Sequence, residues 1–124
     1  MRFSSRLFFA AGIYGLVVLA PMYFLEGLLG REDPPPITHP EYFYGFLGVA
    51  VAWQVAFLII ATDPSRYRAL MVPSVLEKLG YGVAVLVLAG LGRVTAGPVA
   101  TGCIDLVFAA LFTYAFVRVG RERM

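Results

Sequence analysis

Apolar residues in this chain fall in four long runs, and most polar residues are gathered between them. The runs cover residues 7–29 ("LFFAAGIYGLVVLAPMYFLEGLL"), 42–61 ("YFYGFLGVAVAWQVAFLIIA"), 74–92 ("SVLEKLGYGVAVLVLAGLG") and 98–119 ("PVATGCIDLVFAALFTYAFVRV"). Each is close to the roughly 20 residues that carry a helix across the hydrocarbon of a bilayer. None alternates apolar and polar with the period of two that a barrel strand shows. In lipid the backbone must satisfy its own N–H and C=O groups, so the runs predict helices. The connections are short, which makes sequential helices antiparallel. The pattern therefore predicts an all-α fold: one integral membrane four-helix antiparallel bundle over residues 1–124.

Local signals refine this outline. Pro21 lacks an N–H and should kink the first span. The prolines of "GREDPPPITHPE" favour an extended path between the first two spans. Thr38 and Glu41 have the spacing of a capping box for the second helix, and Ser74 and Glu77 that of one for the third. Asp63 before Pro64 predicts an N-cap and a short interfacial helix holding Arg66 and Arg68 among the headgroups. Glu77 is also in range of Arg66 or Arg68 at that interface. The N-terminus, with Arg2 and Arg6 before an apolar run, imitates a signal peptide. The run is too long for one, and Ala20 followed by Pro21 is a poor cleavage context, so it is expected to remain as the first span.

Charge sets the orientation. Arg2, Arg6, Arg66, Arg68, Lys78, Arg118, Arg121 and Arg123 flank one side of the predicted bundle, and Arg31 and Arg93 the other. Lys and Arg collect in the cytoplasm, so both termini are expected there, in the cytoplasmic (inner) membrane. Tyr23, Phe24, Tyr42, Phe43 and Tyr44 fall near the opposite interface, where aromatic belts form.

Composition narrows the chemistry. The chain is 60% hydrophobic and 15% charged, against about 45–50% and about 25% for a soluble domain. A net charge of +2 without a basic stripe gives no nucleic-acid partner. One cysteine, Cys103, and one histidine, His39, leave no intramolecular disulfide, no metal site of ordinary spacing and no haem or di-iron centre. No phosphate loop or serine elbow occurs, so no cofactor is predicted. No internal repeat relates the two halves, which removes support for an inverted-repeat transporter.

What remains is a set of polar residues inside the spans. Asp105 lies roughly 10 Å below the end of its helix, where an unpartnered charge is costly. Thr101, Gly102 and Ala109 share its face, and small residues mark close helix contacts. Asp105 is thus expected to face the bundle, with Leu106, Leu111 and Val117 facing lipid. Glu26 continues a face through Gly12, Gly15, Leu19 and Met22 and should also point inward. Arg93, ending the third span, and His39 complete an expected cluster at the outer half. Its bland reading is a structural network with Arg93 satisfying a carboxylate; its sharp reading is a polar pocket. Gln54 and Trp53, near the middle of the second span, are either a bundle-lining pair or ordinary packing.

The second half, residues 76–119, resembles the small bacterial four-helix membrane proteins grouped as DoxX-like. The likeness rests on the turn "GRVTAGP" and on the acidic residue that follows in "GCIDLVFAALF", although that family usually has glutamate in helix four. It implies a four-helix bundle in the cytoplasmic membrane. A more distant likeness is to EXPERA-type bundles, which place acidic residues in an intramembrane pocket for sterol-like ligands; the matching residues are Glu26 and Asp105.

Three functional readings follow. The first is binding of a lipid or small hydrophobic molecule, or support of a membrane complex, with the bilayer, a second copy or another membrane protein as partner. The second is an intramembrane enzyme on a lipid-like substrate, with Glu26 and Asp105 transferring protons. The third is a proton or cation path, for which Gln54 and Glu77 are the inner-half groups and the stretches 85–88 and 108–112 look dry. The orientation is directly testable. A reporter that folds only in the cytoplasm should be active when fused after Met124 and inactive when fused at Gly30; activity at both positions would mean that the span count is wrong.

Overall fold

A computed structural model describes residues 2–32 and 37–123. Helix α1 is Arg2–Leu19. It tightens into a 3-10 segment, Ala20–Phe24, where Pro21 cannot donate the hydrogen bond that would continue the α-helix. Leu25 ends this segment by donating to Met22 O (3.1 Å), and a short helix α2, Glu26–Glu32, starts afresh. The expected continuous span 7–29 is thus two pieces, and the crossing helix is Arg2–Phe24. Helix α3 is Pro40–Thr62, α4 is Met71–Gly90 and α5 is Ala96–Glu122. A 3-10 turn, Arg68–Leu70, leads into α4. Among the described residues there is no strand, and four helices are long and apolar enough to cross a membrane.

Three caps differ from expectation. Pro40 takes the first position of α3, so His39 is the N-cap, and Glu41 bonds His39 Nδ1 (3.1 Å) instead of closing a box with Thr38. Asp63 accepts from the Arg66 N–H (3.2 Å) and caps a turn rather than a helix. Helix α4 begins three residues before Ser74, so the hydroxyl of Ser74 donates back to Leu70 O (2.7 Å) within the helix. That shift frees Glu77 from capping.

The bundle is built from two antiparallel hairpins. Helix α1 packs along α3, and α4 along α5; between the hairpins α1 meets α5, while α3 touches α4 only locally. Glycine permits both close approaches. A Cβ on Gly12 would stand 2.7 Å from Leu58 Cδ2 and 2.9 Å from Gln54 O, and one on Gly82 would stand 2.7 Å from Leu106 Cγ. Without a hydrophobic drive between helices in lipid, such close packing is what holds them. Leu106 therefore packs against α4 rather than facing lipid, and Leu111 is half-buried against the core; Val117 is exposed as expected.

The hairpins are packed most densely together at one end. There Phe8, Phe57 and Phe112 are fully buried, with Phe8 and Phe112 stacked at 4.2 Å between centroids and Phe57 edge-on to Phe112 at 5.1 Å. Met71, Ile60, Ala115 and Val119 complete this plug. The start of α1 and the last turns of α5 lie together at this end: Arg118 stands over the ring of Phe3, and Phe3 packs on Tyr114. The outward faces carry Val17 (67% exposed) and Phe24 (89%), surfaces suited to acyl chains rather than water.

The plug makes a stability prediction. Phe112→Ala leaves a void between all three aromatic contacts and should lower unfolding stability by about 3 kcal/mol, the low end for Phe→Ala because lipid rather than water is the reference. Denaturant titration in detergent, followed by helical circular dichroism, measures it; a change within experimental error would show that the plug does not hold the hairpins together.

Candidate functional site

Beyond the plug the hairpins diverge and enclose a cavity of about 640 Å³. Gly15, Val18, Leu19 and Met22 line it from α1 and the 3-10 segment, and Phe46, Ala50 and Gln54 from α3. Tyr81 and Thr101 face it from α4 and α5. Two aromatic pairs bridge the seams between the hairpins. Phe46 of α3 stacks with Tyr81 of α4 (6.2 Å), and Tyr14 of α1 leans on Phe108 of α5 (5.7 Å). Tyr81 is fixed in turn by a 3.0 Å hydrogen bond to Thr101 Oγ1. Leu29, Ile37, Thr95 and Gly97 line the cavity near the connecting loops, so the cup opens toward the end opposite the plug.

The floor is ionic. Lys78 Nζ lies 3.5 Å from Asp105 Oδ1 and 3.7 Å from Glu77 Oε2, and Lys78 is only 3% exposed. The rings of Phe57 (5.2 Å) and Phe108 (5.5 Å) also face the ammonium, an arrangement that favours a cation. Counting back from Gly90, Pro40 and Ala96 at 1.5 Å per residue, the floor sits roughly 14–21 Å below the helix ends, near the middle of a bilayer. At that depth each charge needs its partner.

The floor is not saturated. Gln54, 1% exposed, donates through Nε2 to Ala50 O (2.8 Å), but its Oε1 has no hydrogen-bond partner. The amide lies against Gly15, where any Cβ would collide with it. Glu77 Oε2 is also buried without a hydrogen bond: the 3.7 Å to Lys78 is an ion-pair distance, too long for a bond.

Comparisons with protein-family models, with curated proteins and with solved structures find no match to this chain. The resemblance of residues 76–119 to DoxX-like proteins therefore rests on the Gly-Arg turn and the helix-five carboxylate alone.

Of the residues singled out by sequence, Asp105 and Gln54 line the cup, and Glu26, Arg93 and Trp53 do not. Asp105 turns inward, but its ionic partner is Lys78 rather than Arg93 or Glu26. Arg93 is carried outward because α4 ends in a glycine turn: Gly92 has φ +70°, and the N–H of Arg93 bonds Leu88 O at 2.8 Å. Glu26 leaves the face of Gly15, Leu19 and Met22 because the 3-10 segment changes the helical register. It accepts instead from Tyr44 Oη (3.0 Å). Trp53 packs on Phe57 and the plug, and His39 is exposed. Among the described residues no group of three His, Cys, Asp or Glu side chains could hold a metal.

Lys78 and Glu77 are what sequence reasoning misplaced. By position in the sequence Lys78 groups with the interfacial cations and Glu77 with a capping box, whereas the structure sets both at the floor of the cup. The signal was present: Met71, Ser74, Lys78, Gly82 and Val85 form the buried stripe of α4 at spacings of three and four. Lys78 occupies a core position between two small residues. Without it, seven Lys and Arg still flank the end bearing the termini, against two at the other.

The ion cluster predicts a coupling pattern. Lys78→Met strands two buried carboxylates and should cost about 3 kcal/mol. Asp105→Asn should cost less, because Glu77 still faces Lys78. The double variant should be more stable than the sum of the two, whereas Asp105→Asn with Arg93→Gln should be additive. A thermal-unfolding cycle on the purified variants gives both numbers; equal coupling in the two cycles would contradict the assignment of Lys78 as the partner.

Proposed function

We propose that this protein binds a small hydrophobic molecule, or the body of a lipid, in the cup between its two hairpins. The carrying observation is the cup itself: about 640 Å³, largely apolar and aromatic on its walls, with charged and amide groups at its floor. That volume is in the range of small-molecule sites, and a few convergent polar groups beneath apolar walls are how such sites fix orientation. The preference of Lys and Arg for the cytoplasm supports an inner-membrane protein with both termini inside, so that the cup opens to the outer face.

Two features favour binding over the other readings. Stacked Phe8 and Phe112, with Phe57, lie beyond the floor where a proton or cation path would need polar groups or water. The carboxylate pair invoked for an intramembrane enzyme is separated, since Glu26 bonds Tyr44 and Asp105 faces Lys78.

Native mass spectrometry of the protein released from nanodiscs should show a bound small molecule or lipid. Val18→Trp, which fills the cup from an exposed wall position, should reduce its occupancy about tenfold or more, a loss near 1.4 kcal/mol. Occupancy unchanged in Val18→Trp would place the bound molecule elsewhere on the protein.

A further inference from the structure

The floor also specifies what kind of head group fits, given the reading of the cup as a ligand site. Its groups are unequally matched. Two carboxylates, Glu77 and Asp105, share one ammonium, Lys78. Formally this leaves one negative charge to be balanced. Lys78 is already enclosed by both carboxylates and by the faces of Phe57 and Phe108, so it offers little to an incoming anion. Two floor atoms lack a hydrogen-bond partner, and both are acceptors: Gln54 Oε1, on a residue 1% exposed, and Glu77 Oε2, which has only the 3.7 Å ion pair with Lys78. Both residues line the cup. Burying an acceptor without a donor costs about 1–3 kcal/mol, and a ligand that supplied the donor would recover that cost on binding.

We infer that the cup takes a lipophilic amine: an apolar body against the aromatic walls, with a protonated primary or secondary amino group set down on Gln54 and Glu77. Such a head brings both things the floor lacks, a positive charge and N–H donors. A carboxylate head would meet two carboxylates. A hydroxyl would satisfy one acceptor and leave the charge unbalanced. A trimethylammonium group would balance the charge and satisfy neither acceptor.

These alternatives make the test. The full-length protein in nanodiscs is titrated calorimetrically with matched probes on two scaffolds, n-decyl and 1-adamantyl, each carrying a primary amine, a hydroxyl, a carboxylate or a trimethylammonium group. Empty nanodiscs correct for partition into lipid. The primary amine should bind tightest, about tenfold or more over the alcohol on at least one scaffold. Gln54→Leu and Glu77→Gln should each narrow the margin of the amine over the alcohol, and helical circular dichroism with thermal unfolding reports that the variants are folded. Should a variant lose all binding, the wild-type ranking alone decides. The inference is overturned if the alcohol or carboxylate binds as tightly as the amine, if trimethylammonium equals the primary amine, or if both variants keep the amine preference; binding in the cup then stands without its head-group rule. Absence of saturable binding by every probe overturns the cup reading together with this one.

Discussion

An ammonium held between two carboxylates near the middle of a bilayer constrains everything around it. Lys78 cannot snorkel from there, so the chain has to bring its counter-charges to it, and α5 must lie close enough to α4 for Asp105 to reach. The glycine at position 82, one turn beyond Lys78, is what lets the helices come that close. The same residue that fixes the ion pair thus fixes the hairpin. The cost of burying the three charged groups is offset only in the assembled bundle, which makes the cluster a source of specificity for this packing over others.

The plug and the cup are two outcomes of one geometry. Glycine contacts hold each helix pair close, and the two pairs meet through large aromatic residues at one end. Phe8, Phe57 and Phe112 fill that junction completely. Toward the loops, Gly15, Ala50 and Thr101 are small and the larger Phe46 and Tyr81 meet at a seam, so the space between the hairpins is left open. The floor lies where the two regimes meet, with Phe57 and Phe108 closing beneath Lys78 as part of the packed end.

Much of this was legible in the chain. Apolar runs longer than any other element could use gave the four spans, and Pro21 marked where the first would break. Asp105 was placed inward by Gly102 and Ala109. Its partner is not legible there, because a Lys near a predicted span boundary reads as interfacial. A start of α4 only three residues earlier turns Lys78 from a boundary residue into a core one. Glu26 was misplaced for the opposite reason: a regular 3.6-residue face was extended through Pro21, where a 3-10 segment resets the register. Both errors came from helix ends, where caps decide orientation and where composition carries little information. Gln54 was found by polarity alone, but its unpaired oxygen depends on the exact lie of the amide against Gly15 and has no sequence signature.

The closed end of the bundle has a thermodynamic consequence. A cavity that reached both faces could be filled from one and emptied to the other, and its occupancy would depend on a gradient. A cup stopped by three packed phenylalanines exchanges with a single leaflet and its adjoining solution. For the ligand proposed above, occupancy at rest would be set by its chemical potential on that side alone, whatever its concentration across the membrane. Entry and departure would share the same rim, so the residues around Leu29, Ile37 and Thr95 would set both rates and the walls and floor the equilibrium.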